Sequence, residues 1–229
     1  DFNNILGAIS GYTEISLAKT PADSRVKYYL EQIYTASQRA INLVKQILEF
    51  SRQTETERIP VSLTPLVKEA VKMLREIMPA TIEIRLHLRT GDDTILADAT
   101  QIYQILMNLC TNAYQAMKEK GGILEIELES MEVGEYPAEE LRGLSPGRYV
   151  EMTVKDTGEG IDPVIVKRIF DPFFTTKKIG EGTGLGLSVV HGIVRNYGGK
   201  ITVESRLGEG TSFHVYFPRS HEVREESLG

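Results

Sequence analysis

Between residue 1 and about residue 52 the apolar positions follow helical spacing and nowhere alternate as a strand would. Val26, Leu30, Ile33, Ser37, Ala40, Val44, Ile47 and Ser51 fall in alternating steps of four and three, a seven-residue repeat with small residues at some layers. Phe2, Ile5, Ile9, Tyr12 and Ser16 draw a similar stripe ahead of Pro21 and Asp23. The pattern predicts two helices in a hairpin, the second about 45 Å long if it runs from Asp23 to Arg52. A lone hairpin has an apolar seam and nothing to bury it against. The economical solution is a homodimer whose two hairpins form a four-helix bundle; docking of the seam on the rest of the chain is the alternative.

Gln53 to Arg58 is polar, and Ile59-Pro60 then opens a different pattern, which places a boundary there. The chain divides into a hairpin domain at 1–56, a second domain at 57–219 and a charged linker or tail at 220–229. In the second domain, Leu66 to Met78 reads as a helix closed by Pro79, and Ile82, Ile84, Leu86 and Leu88 alternate as a strand. Asp98-Ala99-Thr100-Gln101 reads as a capping start for a helix through about Lys118. Ile123 to Met131, Tyr149 to Lys155 and a hairpin from Lys200 to Phe217 turning at Gly208–Gly210 read as strands. Strand runs with helices set to one side predict an α+β chain: the helical hairpin, then an α/β sandwich with helices over one face of a mostly antiparallel sheet.

Charge and composition narrow the function classes. With 26 Lys+Arg against 32 Asp+Glu, the net charge of −6 excludes a protein whose main business is a general electrostatic grip on nucleic acid. Any anionic ligand must be held by a local site. Cys110 is the single cysteine; it cannot form an internal disulfide, and in its apolar run it reads as a small buried hydrophobe, a reactive thiol being the alternative. A reducing compartment fits, and with it a cytoplasmic location. No apolar stretch approaches the roughly 20 residues of a membrane span, and the N-terminus carries no signal pattern. Any membrane link would run through a segment outside residues 1–229. Asp1-Phe2-Asn3-Asn4 already stands inside an amphipathic pattern, as expected of a piece of something longer.

Glycine carries the chemistry. Asp156-Thr-Gly158-Glu-Gly160 and Gly180-Glu-Gly182-Thr183-Gly184-Leu185-Gly186-Leu187 would let backbone amides approach an anion. A helix beginning near Leu187 would aim its positive end at the same place. A polyphosphate is the natural ligand; an ordinary mobile loop is the alternative. GxxxxGK[ST] does not occur, since Ile201 follows Gly199-Lys200, and neither glycine pair completes GxGxxG. P-loop, Rossmann and eukaryotic-type kinase signatures are therefore excluded. Asn108 and Asn112, four apart, share a helix face. A carboxamide there must find a partner or face a cavity, and its oxygen is a reasonable Mg²⁺ ligand beside phosphates; a capping or inter-helix hydrogen bond is the other reading.

Asn108 to Ala113, Asp156 to Gly160, Asp171-Pro-Phe-Phe-Thr-Thr-Lys177, Gly182-Thr-Gly-Leu-Gly186 and Gly210-Thr211-Ser-Phe213 occur in that order. They resemble the N, G1, F, G2 and G3 boxes of bacterial sensor histidine kinases, within the superfamily of the Hsp90, gyrase B and MutL ATPases. The hairpin resembles that family's dimerisation and phosphoacceptor domain. The resemblance implies that Asp156 accepts a hydrogen bond from the adenine amino group of ATP, with Thr211 beside the base and Gly158 and Gly160 in the loop. It implies that Asn112 coordinates Mg²⁺ and that Asn108 lines the phosphates. A lid from about Phe173 to Leu185, carrying Lys177, Gly182, Thr183, Gly184 and Leu185 and ending at Gly186, would fold over them; Lys177 also reads as a solvated loop charge. Where related ATPases have a water-activating glutamate, position 108 holds Asn, a poor base, so ATP is expected to be kept for transfer.

The family's first helix carries patterns such as His-Asp-Phe-Asn-Asn. The expected acceptor is thus a histidine immediately before Asp1, and His87, His191, His214 and His221 read as structural or exposed. Asp1 would take the imidazole proton, and Asn4 matches a position that orients a water in members with phosphatase activity. A response-regulator receiver domain is the expected partner. An ATP-driven clamp, and a non-catalytic dimerising nucleotide sensor, are the competing classes; Asn108 and the short hairpin weigh against the first.

Overall fold

The computed structural model describes residues 2–21, 24–51, 58–177 and 183–220, so Asp1, Gly182, His221 and the 221–229 tail lie outside them. The chain splits into two compact units, Asp1–Glu55 with Thr175–Thr183, and Thr56–Phe174 with Gly184–Gly229.

In the first unit, α1 (Phe2–Lys19) and α2 (Arg25–Ser51) form the expected hairpin. The second helix starts at Arg25, where the Ser24 hydroxyl accepts from the Val26 amide at 3.2 Å. The hairpin buries small polar residues, Ser10, Thr13 and Ser37, at 6–7% exposure. Thr13 and Ser37 satisfy their hydroxyls on carbonyls one turn back, at 2.6 and 2.9 Å. Much of the apolar stripe instead faces outward: Ile5 is 57%, Ile9 42%, Tyr12 74% and Ile33 46% exposed.

In the second unit, α3 (Leu63–Ile77), α4 (Ala99–Met117) and α5 (Gly186–Asn196) accompany two sheets. The larger runs β2 (Ile82–Arg89), β4 (Gly122–Val133), β5 (Gly147–Asp156), β7 (Gly210–Pro218) and β6 (Lys200–Arg206), in that spatial order. Only the β2–β4 pair is parallel. Alternation sends Leu124, Ile126, Leu128, Val150, Met152, Val154, Phe213, Val215 and Phe217 into one core with the helices; the opposite face is polar.

The small sheet, β1 (Ile59–Ser62) against β3 (Thr94–Ala97), was not expected. Each strand has four residues, too few for a period to show. Helix α3 begins at Leu63, three residues before the predicted start, because the Asp93 carboxylate accepts from the Thr64 amide and the Ser62 hydroxyl, both at 2.6 Å. A cap supplied from 29 residues away does a job the local Ser62 side chain does not. Asp98 caps α4 as expected, accepting from the Thr100 amide at 2.7 Å. The Gln101 carboxamide oxygen, expected to close the box, accepts instead from the Tyr197 hydroxyl at 2.7 Å. Among the described residues no helix is long and apolar enough to cross a membrane.

Candidate functional site

Asp156 ends β5 directly opposite Thr211 of β7, and both are 5% exposed. Its carboxylate accepts from the Gly158 amide at 2.8 Å. Burial pushes the Asp156 carboxyl up to about 6 from 3.8, while the amides of Gly158 and Thr211 pull it back and the charge of Glu159 pushes it further. Hydrogen bonds favour the ionised form, but desolvation outweighs them. A buried carboxylate with no cation bonded to it among the described residues is an acceptor suited to a neutral N–H donor.

The loop after Asp156 is held against two other elements. The Glu159 amide donates to the Ala116 carbonyl at 3.2 Å, and the Gly208 amide donates to the Glu159 carbonyl at 2.8 Å. A Cβ on Gly158 would lie 2.6 Å from the Ala116 methyl and 2.8 Å from its backbone, and one on Gly160 2.1 Å from the Arg206 carbonyl oxygen. The motif's glycines thus let this loop seat on the end of α4 and on the β6–β7 turn.

Ser205, which the sequence reading passed over, organises this corner. Its hydroxyl donates to the Gly210 carbonyl at 3.0 Å and accepts from the Ile161 amide at 2.8 Å. With that proton committed, Thr211 Oγ1, 2.9 Å away, donates to Ser205 and keeps its own lone pairs free for a donor. Position opposite Thr211 on β6 is the signal that would have found Ser205. Thr157 was also missed; its hydroxyl accepts from the Ile123 amide at 2.9 Å.

A second cluster forms where α4 meets α5. Asn108 and Asn112 are half-buried on α4, and a Cβ on Gly186, the first residue of α5, would stand 3.1 Å from Asn108 Oδ1. No side chain caps α5, and its first turn has no acidic residue. Neither Asn side chain hydrogen-bonds another group among the described residues, so the inter-helix bond considered for them is not formed there. Free amides at a helix N-terminus beside carboxamide groups make a place for an anion. Gly184 sits in the left-handed region (φ 67°), and a Cβ there would lie 2.5 Å from the Phe173 carbonyl carbon; Phe173 is itself at φ 67°. Leu185 is buried, and the Ser188 hydroxyl donates to its carbonyl at 2.9 Å.

Asp156, Gly158, Gly160, Thr211, Asn108, Asn112, Gly184, Leu185 and Gly186 therefore belong to one unit. Lys177, whose amide donates to Thr175 Oγ1 at 3.2 Å, and Thr183 fall in the other. Asn4 lies in α1, its side chain outside the described set, as are Asp1 and Gly182. Cys110 is fully buried, with its thiol pushed up to about 12 by desolvation. That fits the buried-hydrophobe reading.

Residues 97–221 match the model of the histidine kinase-, DNA gyrase B- and HSP90-like ATPases, and residues 1–56 that of the His Kinase A (phospho-acceptor) domain. The sensor kinase CckA of Brucella abortus (strain 2308) is 35% identical over 219 residues, 96% of this chain and 23% of CckA. The crystal structure of full-length ShkA in complex with AMPPNP is similar with TM-score 0.69 and 26% identity, over 95% of this chain and 43% of that one. Histidine kinase ThkA, in complex with response regulator protein TrrA, is similar with TM-score 0.66 and 27% identity, over 95% of this chain and 59% of that one. The chain spans 20–43% of the length of three curated relatives it matches. The chain belongs to the histidine kinase-, DNA gyrase B- and HSP90-like ATPase family, with a His Kinase A (phospho-acceptor) domain ahead of the ATPase domain.

Proposed function

We propose that this core binds Mg·ATP in the unit carrying Asp156 and passes the γ-phosphoryl group to a histidine at the head of the hairpin. An aspartate of a response regulator is the next acceptor. The observation that carries the reading is Asp156, a buried carboxylate with no cation bonded to it among the described residues, held by backbone amides beside Thr211. It accepts from the adenine amino group and repels the carbonyl oxygen that guanine presents at the same place. Full-length ShkA was solved with AMPPNP, which supports an adenine nucleotide as ligand.

Asn108, the amides at the start of α5, Gly184 and Leu185 line the phosphates within this unit. Asn112 holds Mg²⁺. Its half-buried carboxamide, which has no hydrogen-bond partner among the described residues, fits that role. When bound, the ion neutralises charge on the phosphates. Asn108 cannot deprotonate water, so ATP survives until the imidazole nitrogen attacks the γ-phosphorus. The bond to the bridging oxygen then breaks, and ADP leaves. Asp1 accepts the proton from the other ring nitrogen, and Asn4 orients a water that hydrolyses the aspartyl phosphate of the response regulator, releasing inorganic phosphate.

Residues 1–56 serve as the dimerisation and phosphotransfer domain, 57–219 as the ATP-binding domain and 220–229 as a linker, in the cytoplasmic portion of a larger sensor. The outward-facing Ile5, Ile9, Tyr12 and Ile33 supply an apolar surface for a second hairpin. The ThkA complex with TrrA supports a receiver domain as partner. The test is incubation with γ-labelled ATP of the chain extended by the residue that precedes Asp1. Acid-labile, base-stable label on the protein is expected; steady phosphate release without phosphohistidine refutes the kinase reading.

A further inference from the structure

The polar face of the five-stranded sheet, opposite the helices, holds a group of side chains that the nucleotide chemistry leaves unused. His87 on β2 is the register partner of Glu127 on β4, and Glu125 lies two residues before Glu127 on the same face. One ligand atom from each of the three lies within 4.8 Å of the others, and all three residues are half-buried. His87 Nε2 is already 3.0 Å from Glu125 Oε1. The same sheet face carries a second histidine–carboxylate pair, His214 Nδ1 with Glu151 Oε1 at 2.8 Å. Its neighbours are the Thr153 hydroxyl, 3.2 Å from His214 Nδ1, and the Tyr216 hydroxyl bonded to Glu151, and it gathers no third histidine, cysteine or carboxylate among the described residues.

We propose that His87, Glu125 and Glu127 form a three-ligand site for a divalent cation of the zinc type. One imidazole nitrogen and two carboxylate oxygens are ligands this ion accepts, and three protein ligands leave a fourth position for water. Bonds of about 2.0–2.2 Å to a tetrahedral ion put ligand atoms about 3.4 Å apart. Rotation of the two carboxylates closes that gap while the paired strands keep their register. Lys155 Nζ, 3.8 Å from Glu125 Oε2, is one positive charge now facing the pair, and its side chain is 54% exposed, so it can turn out to solvent. Arg85, the register partner of Glu125, is bonded to Glu83 and its charge also acts on Glu125; its side chain is 45% exposed, so it too can turn away from the ion. Because β2 is the edge strand, the ion staples that edge to β4.

The test is calorimetric titration of the nucleotide-free chain with ZnCl₂ at pH 7.5, with melting curves in parallel. One equivalent is expected to bind with Kd of about 10 µM or tighter and to raise Tm, since a ligand bound only by the folded state stabilises it. His87→Gln and Glu127→Gln, near-isosteric and half-exposed, should each weaken uptake at least tenfold. His214→Gln should leave it intact, and AMPPNP binding should be unchanged in all three. The ring nitrogen signals of His87 in the unaltered protein, followed by ¹H–¹⁵N spectra, should move at one equivalent and provide a readout independent of how the variants fold. Absence of saturable uptake below 100 µM, uptake unchanged in His87→Gln, uptake lost in His214→Gln, or unmoved His87 ring signals would each overturn the site.

Discussion

Replacing Asp156 by Asn should move stability and affinity in opposite directions. The carboxyl titrates at about 6 in the fold against an ordinary 3.8. At about 1.36 kcal/mol per pH unit, that gap means the folded protein above pH 6 carries about 3 kcal/mol of unfavourable free energy for keeping this group ionised. A raised carboxyl contributes its stability fully below pH 3.8, where both states are protonated, and loses it as the pH rises through about 6. Asn is the neutral isostere, so the nucleotide-free variant should be more stable than the parent at pH 8 by up to about 3 kcal/mol, and no more stable near pH 4. For a unit of this size that is about 6–12 °C in Tm. Urea or thermal unfolding at pH 8, 6 and 4.5 reads the difference, and subtracting parent from variant removes every other titrating group. Loss of a hydrogen bond to a charged acceptor, worth about 1.5–3 kcal/mol, should weaken AMPPNP binding by about 10- to 150-fold by calorimetry. A variant less stable than the parent at pH 8 would refute the desolvation argument, and unchanged AMPPNP affinity would refute the adenine contact.

Three further outcomes follow from the geometry. Gly184→Ala must place a methyl in the left-handed region, 2.5 Å from the Phe173 carbonyl carbon; it should cost about 1–3 kcal/mol in unfolding free energy and loosen AMPPNP, and an unchanged melt would refute the close approach. Tyr197→Phe removes a hydroxyl that donates to Gln101 at 2.7 Å and accepts from the Asp98 amide at 3.1 Å. Urea titration should show a loss of about 1–3 kcal/mol. Cys110, fully buried with its thiol pushed up to about 12, should resist a disulfide reagent at pH 8 in the native protein and react within minutes in urea; rapid native labelling would contradict that burial.

Much of the second unit was legible because its elements are long. β4 has 12 residues and β5 has 10, enough for alternation to declare both a strand and its buried face. The helix dyad Asn108/Asn112 and the glycines around Asp156 and Gly186 were visible as motifs. The resemblance carried by five ordered boxes assigned them to one site. The hairpin's helices were equally plain, though the sequence could not tell which residues would turn inward. The small residues Ser10, Thr13 and Ser37 did, leaving Ile5, Tyr12 and Ile33 outside.

What escaped the sequence shares one cause: distance along the chain. Asp93 follows Gly91-Asp92 and reads as a turn, yet it caps α3 from 29 residues away. Ser205 reads as one polar residue on a strand, yet it ties together Ile161, Gly210 and Thr211. His87 reads as one polar position of an alternating strand, and only the parallel register of β2 on β4 sets it beside Glu127.

The sequence by itself determined the element types, the family boxes and the need for a local anion site in an acidic chain, because these rest on periodicity, residue chemistry and net charge. Tertiary structure alone decided that Asp156 would be buried, its carboxyl raised to about 6 by desolvation, and that the Asn108 carboxamide would stand at the uncapped start of α5. Desolvation and through-space approach depend on what packs around a group, and that is set by residues far from it in the chain.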